Sequence, residues 1–587
     1  MLKLLKNLNK RDYIYVFISA GLIVFQVWLE LKMPDYMSNI TQLVQTRGAS
    51  INDILREGSY MLLCAFGSLV SAFIVGYFTS TIAASFSYRT RGKLFRKVED
   101  ISTFEIKKFS PSSLITRTTN DITQIEFLIA MGLTLMIKAP ITAVWAVTKI
   151  LNKNIEWSIL TGVAVLALLI TIGIIMMIVM PKFKIVQELM DKINMVMREN
   201  LSGIRVVRAF NAEKYQEDKF ENVNNTLTNQ QVFNQKAFNF LSPVMYLVMY
   251  FLTLGIYFIG AMLINEANMG DKIVLFGNMI VFSSYAMQVI MSFLMLAMIF
   301  MMLPRASVSA KRINEVLDTS ISVKEGNVTM NNSDIKGCVE FKNVSFKYPD
   351  ADEYVLEDIS FKVNKGETIA FIGSTGSGKS TLINLIPRFY DATSGEILIN
   401  GIDVRDYSFE YLNNIIGYVP QKATLFSGDI LSNVSFGKNI DGKPSNKKIA
   451  DALRVSQASE FVSKLEDGEK SHIAQGGTNV SGGQKQRLSI ARTIARNPEI
   501  YIFDDSFSAL DYKTDSTLRR ELREYTKDAT VMIVAQRIGT ILNADKIVVL
   551  DNGKCVGVGT HNELMKKCKV YKEIALSQVS KEELENV

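Results

Sequence analysis

Histidine is almost missing from this chain: His472 and His561 are the two in 587 residues. So few imidazoles exclude a multi-histidine metal centre and leave little for proton relay. Four cysteines, Cys64, Cys338, Cys555 and Cys568, show no Cys-x-x-Cys spacing. That argues against a zinc site and a disulfide framework and fits reduced thiols. Proline is also sparse, at 11, which leaves long stretches without a helix breaker. The net charge is only +7, as expected when cytoplasmic loops of an inserted protein retain Lys and Arg; no nucleic-acid partner is expected. The first apolar stretch follows Lys3, Lys6, Lys10 and Arg11, is too long for a secretory signal and has no small-residue cleavage site. It is expected to stay as a span.

What is present is apolar length. Six stretches near 14–35, 59–85, 128–148, 157–180, 240–264 and 274–303 each approach or exceed the ~20 residues that cross a bilayer as helix. The loops between them differ sharply in basic residues. The segment between the second and third carries Arg89, Arg91, Lys93, Arg96, Lys97, Lys107, Lys108 and Arg117, and that between the fourth and fifth carries nine from Lys182 to Lys236. The opposite loops hold only Arg47 and Arg56, then Lys149 and Lys153, then Lys272. The two basic segments therefore face the cytoplasm, and so do the N-terminus and everything after residue 304.

Both basic segments are too long for simple connections and poor in Gly and Pro, so they extend the membrane helices. Polar interruptions at Thr118–Asp121 and at Ala209–Glu213 are where short crosswise helices are expected, a solvated turn being the alternative. Within the spans, Lys138 either lines a polar substrate cavity or snorkels to an interface. Met287, Met291, Met295, Met298 and Met302 recur every three or four residues on one helix face. That stripe suits helix packing or contact with a promiscuous substrate.

The hydrophilic half carries sharper signals. Gly373-Ser374-Thr375-Gly376-Ser377-Gly378-Lys379-Ser380-Thr381 follows the apolar run Thr368–Ile372 and precedes a helical pattern. This is a P-loop in its required setting: glycines close backbone N–H groups round phosphates, Lys379 adds a point charge and Ser380 can ligate Mg2+. Ile500-Tyr501-Ile502-Phe503 then ends in Asp504 and Asp505, a buried strand delivering carboxylates to its C-terminal edge, with Asp504 as the second magnesium contact. Between them, Val480-Ser481-Gly482-Gly483-Gln484-Lys485-Gln486-Arg487 is a second glycine-rich anion-binding turn at a helix start. A chain that already has one phosphate cradle has use for another if it serves the nucleotide of a facing copy.

This last stretch resembles the signature motif of ABC ATPases, and other landmarks follow by residue type. Tyr348 resembles the aromatic that stacks on adenine, Gln421 the Q-loop glutamine that contacts magnesium, and Ser508-Ala509-Leu510-Asp511 the D-loop. Thr119–Ile122 and Asn200–Phe210 resemble the coupling regions of type IV ABC exporters, with Asp121 and Phe210 as the transmitting residues. The resemblance implies an all-α six-helix transmembrane domain with long cytoplasmic extensions, fused to an α/β P-loop ATPase domain that takes ATP and Mg2+. The expected domains are 1–315 in the membrane, a linker at 316–335, the ATPase domain at 336–577 and a charged tail at 578–587.

Two departures from the family pattern stand out. Where the family has a catalytic glutamate this chain has Asp505, one methylene shorter, and where it has a switch histidine this chain has Gln536. A base about 1 Å out of place loses much of its effect, and an amide cannot relay a proton. The site on this P-loop is therefore expected to bind ATP and hydrolyse it slowly, as in one subunit of heterodimeric ABC exporters. Ser481, Gly482, Gly483 and Gln484 would complete the site of a partner half-transporter that keeps Glu and His. A homodimeric exporter and an ATP-gated, non-hydrolytic regulator are the alternatives. Few fixed charges in the spans favour a hydrophobic or amphipathic cargo.

Overall fold

The computed structural model describes residues 2–46, 50–151, 155–330, 335–437 and 442–578. Arg47, Lys153, residues 331–334 of the expected linker and the tail beyond Gln578 lie outside the described residues. The chain separates into two units: Met1–Glu99 with Ser110–Thr319, and Asp100–Phe109 with Ser320–Val587. Asp100–Phe109 thus groups with the unit that carries the ATPase strands.

The membrane unit is built on six long apolar helices, Lys10–Gln45, Ile51–Asp100, Pro111–Leu151, Ile155–Ser202, Glu213–Glu266 and Asp271–Leu317. With 36 to 54 residues each, they run about 54 to 81 Å, well beyond a ~30 Å hydrocarbon core. Proline scarcity did not keep proline out of them: Pro34, Pro140, Pro181, Pro243 and Pro304 all lie inside these helices. Membrane helices tolerate this because neighbouring groups satisfy the freed carbonyl. A single π-helical turn, Leu128–Gly132, opens the third span.

The first short helix is Thr103–Lys107, upstream of the expected Thr118–Asp121. Ser102 in extended conformation and Ser110 followed by Pro111 punctuate the chain there. At Thr118–Asp121 one helix, Pro111–Thr118, does end and another, Asn120–Phe127, begins across Thr119 at φ −108° and ψ −84°, while the Thr118 and Thr119 hydroxyls donate to carbonyls four residues back, at 2.7 and 2.8 Å. The second short helix, Ile204–Ala209, lies just before the interruption expected at 209–213.

The unit's core joins Ile23, Val27, Trp157, Leu252, Phe282 and Tyr285, all nearly or fully buried. Two charge pairs lie among the spans. Lys138 Nζ donates to Glu30 Oε1 at 2.8 Å, and Glu30 also accepts from Gln26 and Ser68. Lys149 Nζ lies 2.9 Å from Asp35, which also accepts from the Tyr285 hydroxyl at 2.7 Å.

The ATPase unit contains β1 (Val339–Phe346), β2 (Leu356–Val363), β3 (Thr368–Gly373), β4 (Ser394–Ile399), β5 (Ile402–Asp403), β6 (Ile416–Val419), β7 (Gly428–Asp429), β8 (His472–Ile473), β9 (Ile500–Asp504), β10 (Thr530–Val534), β11 (Lys546–Asp551) and β12 (Lys554–Gly559). Ten of them form one sheet in the order β5-β4-β1-β2-β12-β11-β3-β10-β9-β6, and β7 pairs with β8 apart. The stretch β11-β3-β10-β9-β6 is parallel throughout. Its strands are near-continuous apolar runs because helices cover both faces, and parallel sheets place ligands at their carboxyl ends. There the loops after β3, β9, β10 and β6 converge.

Candidate nucleotide site

The P-loop leaves β3 at Gly373 and enters the helix Lys379–Leu385 through Gly378. Gly378 has φ +96°, and a Cβ there would meet Leu356 at 2.7 Å and the Val355 carbonyl at 3.0 Å. Only glycine combines that left-handed turn with so close a neighbour. Lys379 Nζ donates to the Gly373 and Ser374 carbonyls at 2.9 and 2.7 Å and to Ser377 Oγ at 3.3 Å. Burial pulls this ammonium below the ordinary lysine value, opposed by the carboxylates of Asp505 and Asp504.

Ser380 Oγ donates to Asp504 Oδ1 at 3.0 Å. Burial at the end of β9 pushes the Asp504 carboxyl above the usual range, while Ser380 pulls it back. A hydroxyl and a carboxylate side by side are hard oxygen donors, which fit Mg2+ held jointly by protein and phosphate oxygens.

Asp505 follows with φ +46°, a left-handed conformation that aspartate tolerates and branched residues avoid. Its N–H donates to the Val534 carbonyl at 3.0 Å, tying the turn to β10. Its Oδ2 accepts from Gln536 Nε2 at 2.7 Å and from Gln421 Nε2 at 3.3 Å. Burial raises this carboxyl too, opposed by Gln421, Ser508 and the charges of Arg537 and Lys379. The two positions that depart from the family pattern thus bind each other, 31 residues apart in sequence.

The structure brings Lys379, Ser380, Gln421, Asp504, Asp505 and Gln536 together; it does not bring the signature turn to them. Ser481 caps the helix Gly482–Arg496 in a capping box with Gln484, so both side chains close on their own turn. Gly483 sits where a Cβ would lie 3.3 Å from the Ala509 carbonyl, so signature and D-loop pack together. Asp511 caps the helix Tyr512–Tyr525. Ser508 Oγ donates to the Asp505 carbonyl at 2.9 Å, joining the segment after β9 to itself.

Residues 356–508 match the ABC transporter family, and residues 15–315 match the ABC transporter transmembrane region. The chain belongs to the ABC transporter family. A Mycobacterium tuberculosis ABC transporter ATP-binding protein is 39% identical over 556 residues, 92% of this chain and 93% of the relative. The ATP-dependent lipid A-core flippase of Pseudomonas aeruginosa is 30% identical over 86% of this chain and 82% of its own. A bacterial Atm1-family ABC exporter solved with ATP bound shares the fold, with a TM-score of 0.82 and 22% identity over 97% of this chain and 100% of that one. This transporter carries six helices long and apolar enough to cross a membrane, fused to an ABC ATPase domain.

Sequence reasoning missed two contacts in the ATPase unit of this ABC transporter. Lys107, on the short helix Thr103–Lys107, lies over the rings of Tyr348 and Tyr390 at 5.7 and 5.5 Å. The Tyr348 hydroxyl lies 3.2 Å from Thr381 Oγ1, which ties the ring to the helix after the P-loop. Basic residues before a short helix were visible, but nothing in the pattern named an aromatic target. Gln578, whose amide reaches the switch segment, carried no signal at all.

In the membrane unit, Lys138 is paired with Glu30. Such a pair satisfies an ammonium that lipid cannot. Along the last span the buried positions and the methionine stripe are offset. Val281, Phe282, Tyr285, Ala286, Val289 and Ile290 are buried, whereas Met291 and Met298 are 45% and 43% exposed and Met287 and Met295 half-buried. Met302 instead lines a cavity of about 520 Å3 with Phe127, Phe183, Asn234, Phe238 and Arg305. Asp121 is buried, accepting from Ser309 Oγ at 3.0 Å and facing Arg312, while Phe210 is 78% exposed.

Proposed function

We propose that this chain is one half of a heterodimeric exporter of hydrophobic or amphipathic compounds, and that its own P-loop site holds ATP and Mg2+ but hydrolyses slowly. The observation that carries this reading is the 2.7 Å hydrogen bond from Gln536 to Asp505. Two amide donors converge on Oδ2 of Asp505 and draw charge from that carboxylate, which weakens it as a base, and neither donor can take a proton from attacking water. Lys379, Ser380 and Asp504 keep the geometry that binds phosphate and metal. Binding is thus supported where chemistry is not.

Ser481 to Gln484, regular by residue type, would complete the active site of a partner half that keeps Glu and His. ATP closes the paired ATPase domains only through its stronger binding to the closed form, so a slow site serves as a hinge while the partner's site cycles. Asp121 and Phe210 are the residues proposed to pass that motion to the spans. The lipid A-core flippase among the relatives supports an amphipathic cargo, met at the exposed Met291 and Met298 and in the aromatic cavity beside Met302.

The test is steady-state ATPase activity of the purified chain in lipid, alone and co-expressed with a Glu- and His-bearing half, with Asp505→Glu and Gln536→His examined singly and together. The expected result is near-inactivity alone, activity in the pair, and a gain of about 10-fold or more only when both residues are restored, since base and switch act as a unit. Brisk turnover by the unaltered chain alone would replace this reading with a homodimeric exporter.

A further inference from the structure

The segment that presents Gln536 is held from outside the site. Its following residue, Arg537, is extended, with φ −104° and ψ 128°. In extended chain the carbonyl before a residue and the N–H after it point to the same side, where a neighbouring strand would normally pair with them. Here a side chain takes that place. Gln578 Nε2 donates to the Gln536 carbonyl at 2.7 Å, and the Ile538 N–H donates to Gln578 Oε1 at 2.8 Å. One carboxamide, with donor and acceptor on a single plane, replaces the peptide group of a missing strand.

The platform behind Gln578 is firm. It ends the helix Lys569–Gln578, whose Tyr571 and Ala575 are fully buried in the core that also contains Ile533, Ala535 and Ile538. The Tyr571 hydroxyl lies 2.7 Å from His561 Nδ1. The amide therefore reaches the switch from a helix fixed on the same core as β10.

We propose that Gln578 is a positioning residue for the nucleotide site: it clamps the backbone at Gln536 and Ile538 and so holds the Gln536 amide against Asp505. The inference rests on the reading that Gln536 serves the site of this chain's own P-loop. The last turn of the C-terminal helix, outside every nucleotide motif, then sets how long that site keeps its nucleotide. Glutamine suits the clamp because it alone presents both groups at this reach; asparagine is one methylene short and glutamate loses the donor.

The test uses the full chain in lipid nanodiscs, with release of mant-ATP followed after a chase of unlabelled ATP, and with thermal unfolding measured on every variant. Gln578→Ala, which loses both hydrogen bonds, and Gln578→Glu, which loses the donated one, are expected to speed release by about 3- to 10-fold, beyond what any small fall in the unfolding midpoint accounts for. In a Gln536→Ala background the further change Gln578→Ala is expected to add nothing, because the clamp then has no side chain to aim. Unchanged release in Gln578→Ala overturns the proposal. An equal acceleration with and without Gln536, or one that tracks a fall in unfolding temperature, overturns it too, by showing a merely structural role. Rapid hydrolysis by the unaltered chain would instead defeat the slow-site reading; the clamp is then judged by the same variants in kcat against KM.

Discussion

The two arms of the nucleotide site are built to different degrees of regularity. The P-loop arm, Gly373 to Thr381 with Asp504, keeps every residue its chemistry needs, and its side chains turn inward on the loop and on one another. The switch arm, Asp505 and Gln536, departs at both positions, and the departures are joined by a hydrogen bond. The contrast teaches that the two arms of one site rest on different atoms, so a change in one need not disturb the other. A lysine ammonium and a loop of N–H groups bind charge without caring where a base sits.

The largest effect that would sharpen this contrast belongs to the P-loop arm. Lys379→Ala is expected to weaken mant-ATP binding by about 100-fold or more, because a charge-assisted contact to phosphate is lost. A loss under about 10-fold would mean that the switch arm also carries binding. Tyr348→Ala comes next, at about 10-fold in the same titration, the scale of one base–aromatic stack. No change there would place adenine elsewhere than on the ring that Lys107 covers.

The smallest effect concerns stability and has a sign fixed by burial. Asp505 titrates above its unfolded value near 3.9, so the unfolded chain ionises first as pH rises, and the folded state carries a penalty that is complete above the folded value. Asp505→Asn removes it and keeps a residue that tolerates φ +46°. The unfolding midpoint of the ATPase unit should rise by about 1 to 3 °C at pH 7 and converge with the unaltered chain as pH falls toward 4. A midpoint that falls would show that the carboxylate is a structural anchor rather than a functional residue held at some cost.

Legibility followed the range of the interactions. The P-loop was readable because strand, glycines and helix are contiguous, and the spans because a bilayer demands an uninterrupted apolar run. The placement of the short helix before the third span was not, because the stop at Thr118–Asp121 divides two successive segments, Pro111–Thr118 and Asn120–Phe127, and the short helix Thr103–Lys107 lies ahead of it. The face that the methionines take was not either: a stripe at helical spacing says that five residues share a side, and says nothing of which side the core occupies.

The sequence by itself determined the class of machine: six spans and a P-loop ATPase, with Asp505 and Gln536 marked as positions to examine. Each of these is written in neighbouring residues and local physics. Only the tertiary structure decided that Lys138 is neutralised by Glu30 across 108 residues, that Gln536 reaches Asp505 across 31, and that Gln578 clamps the switch from 42 residues away. Those are single contacts between side chains with many local conformations, and only a packed core brings their backbones close enough to choose one.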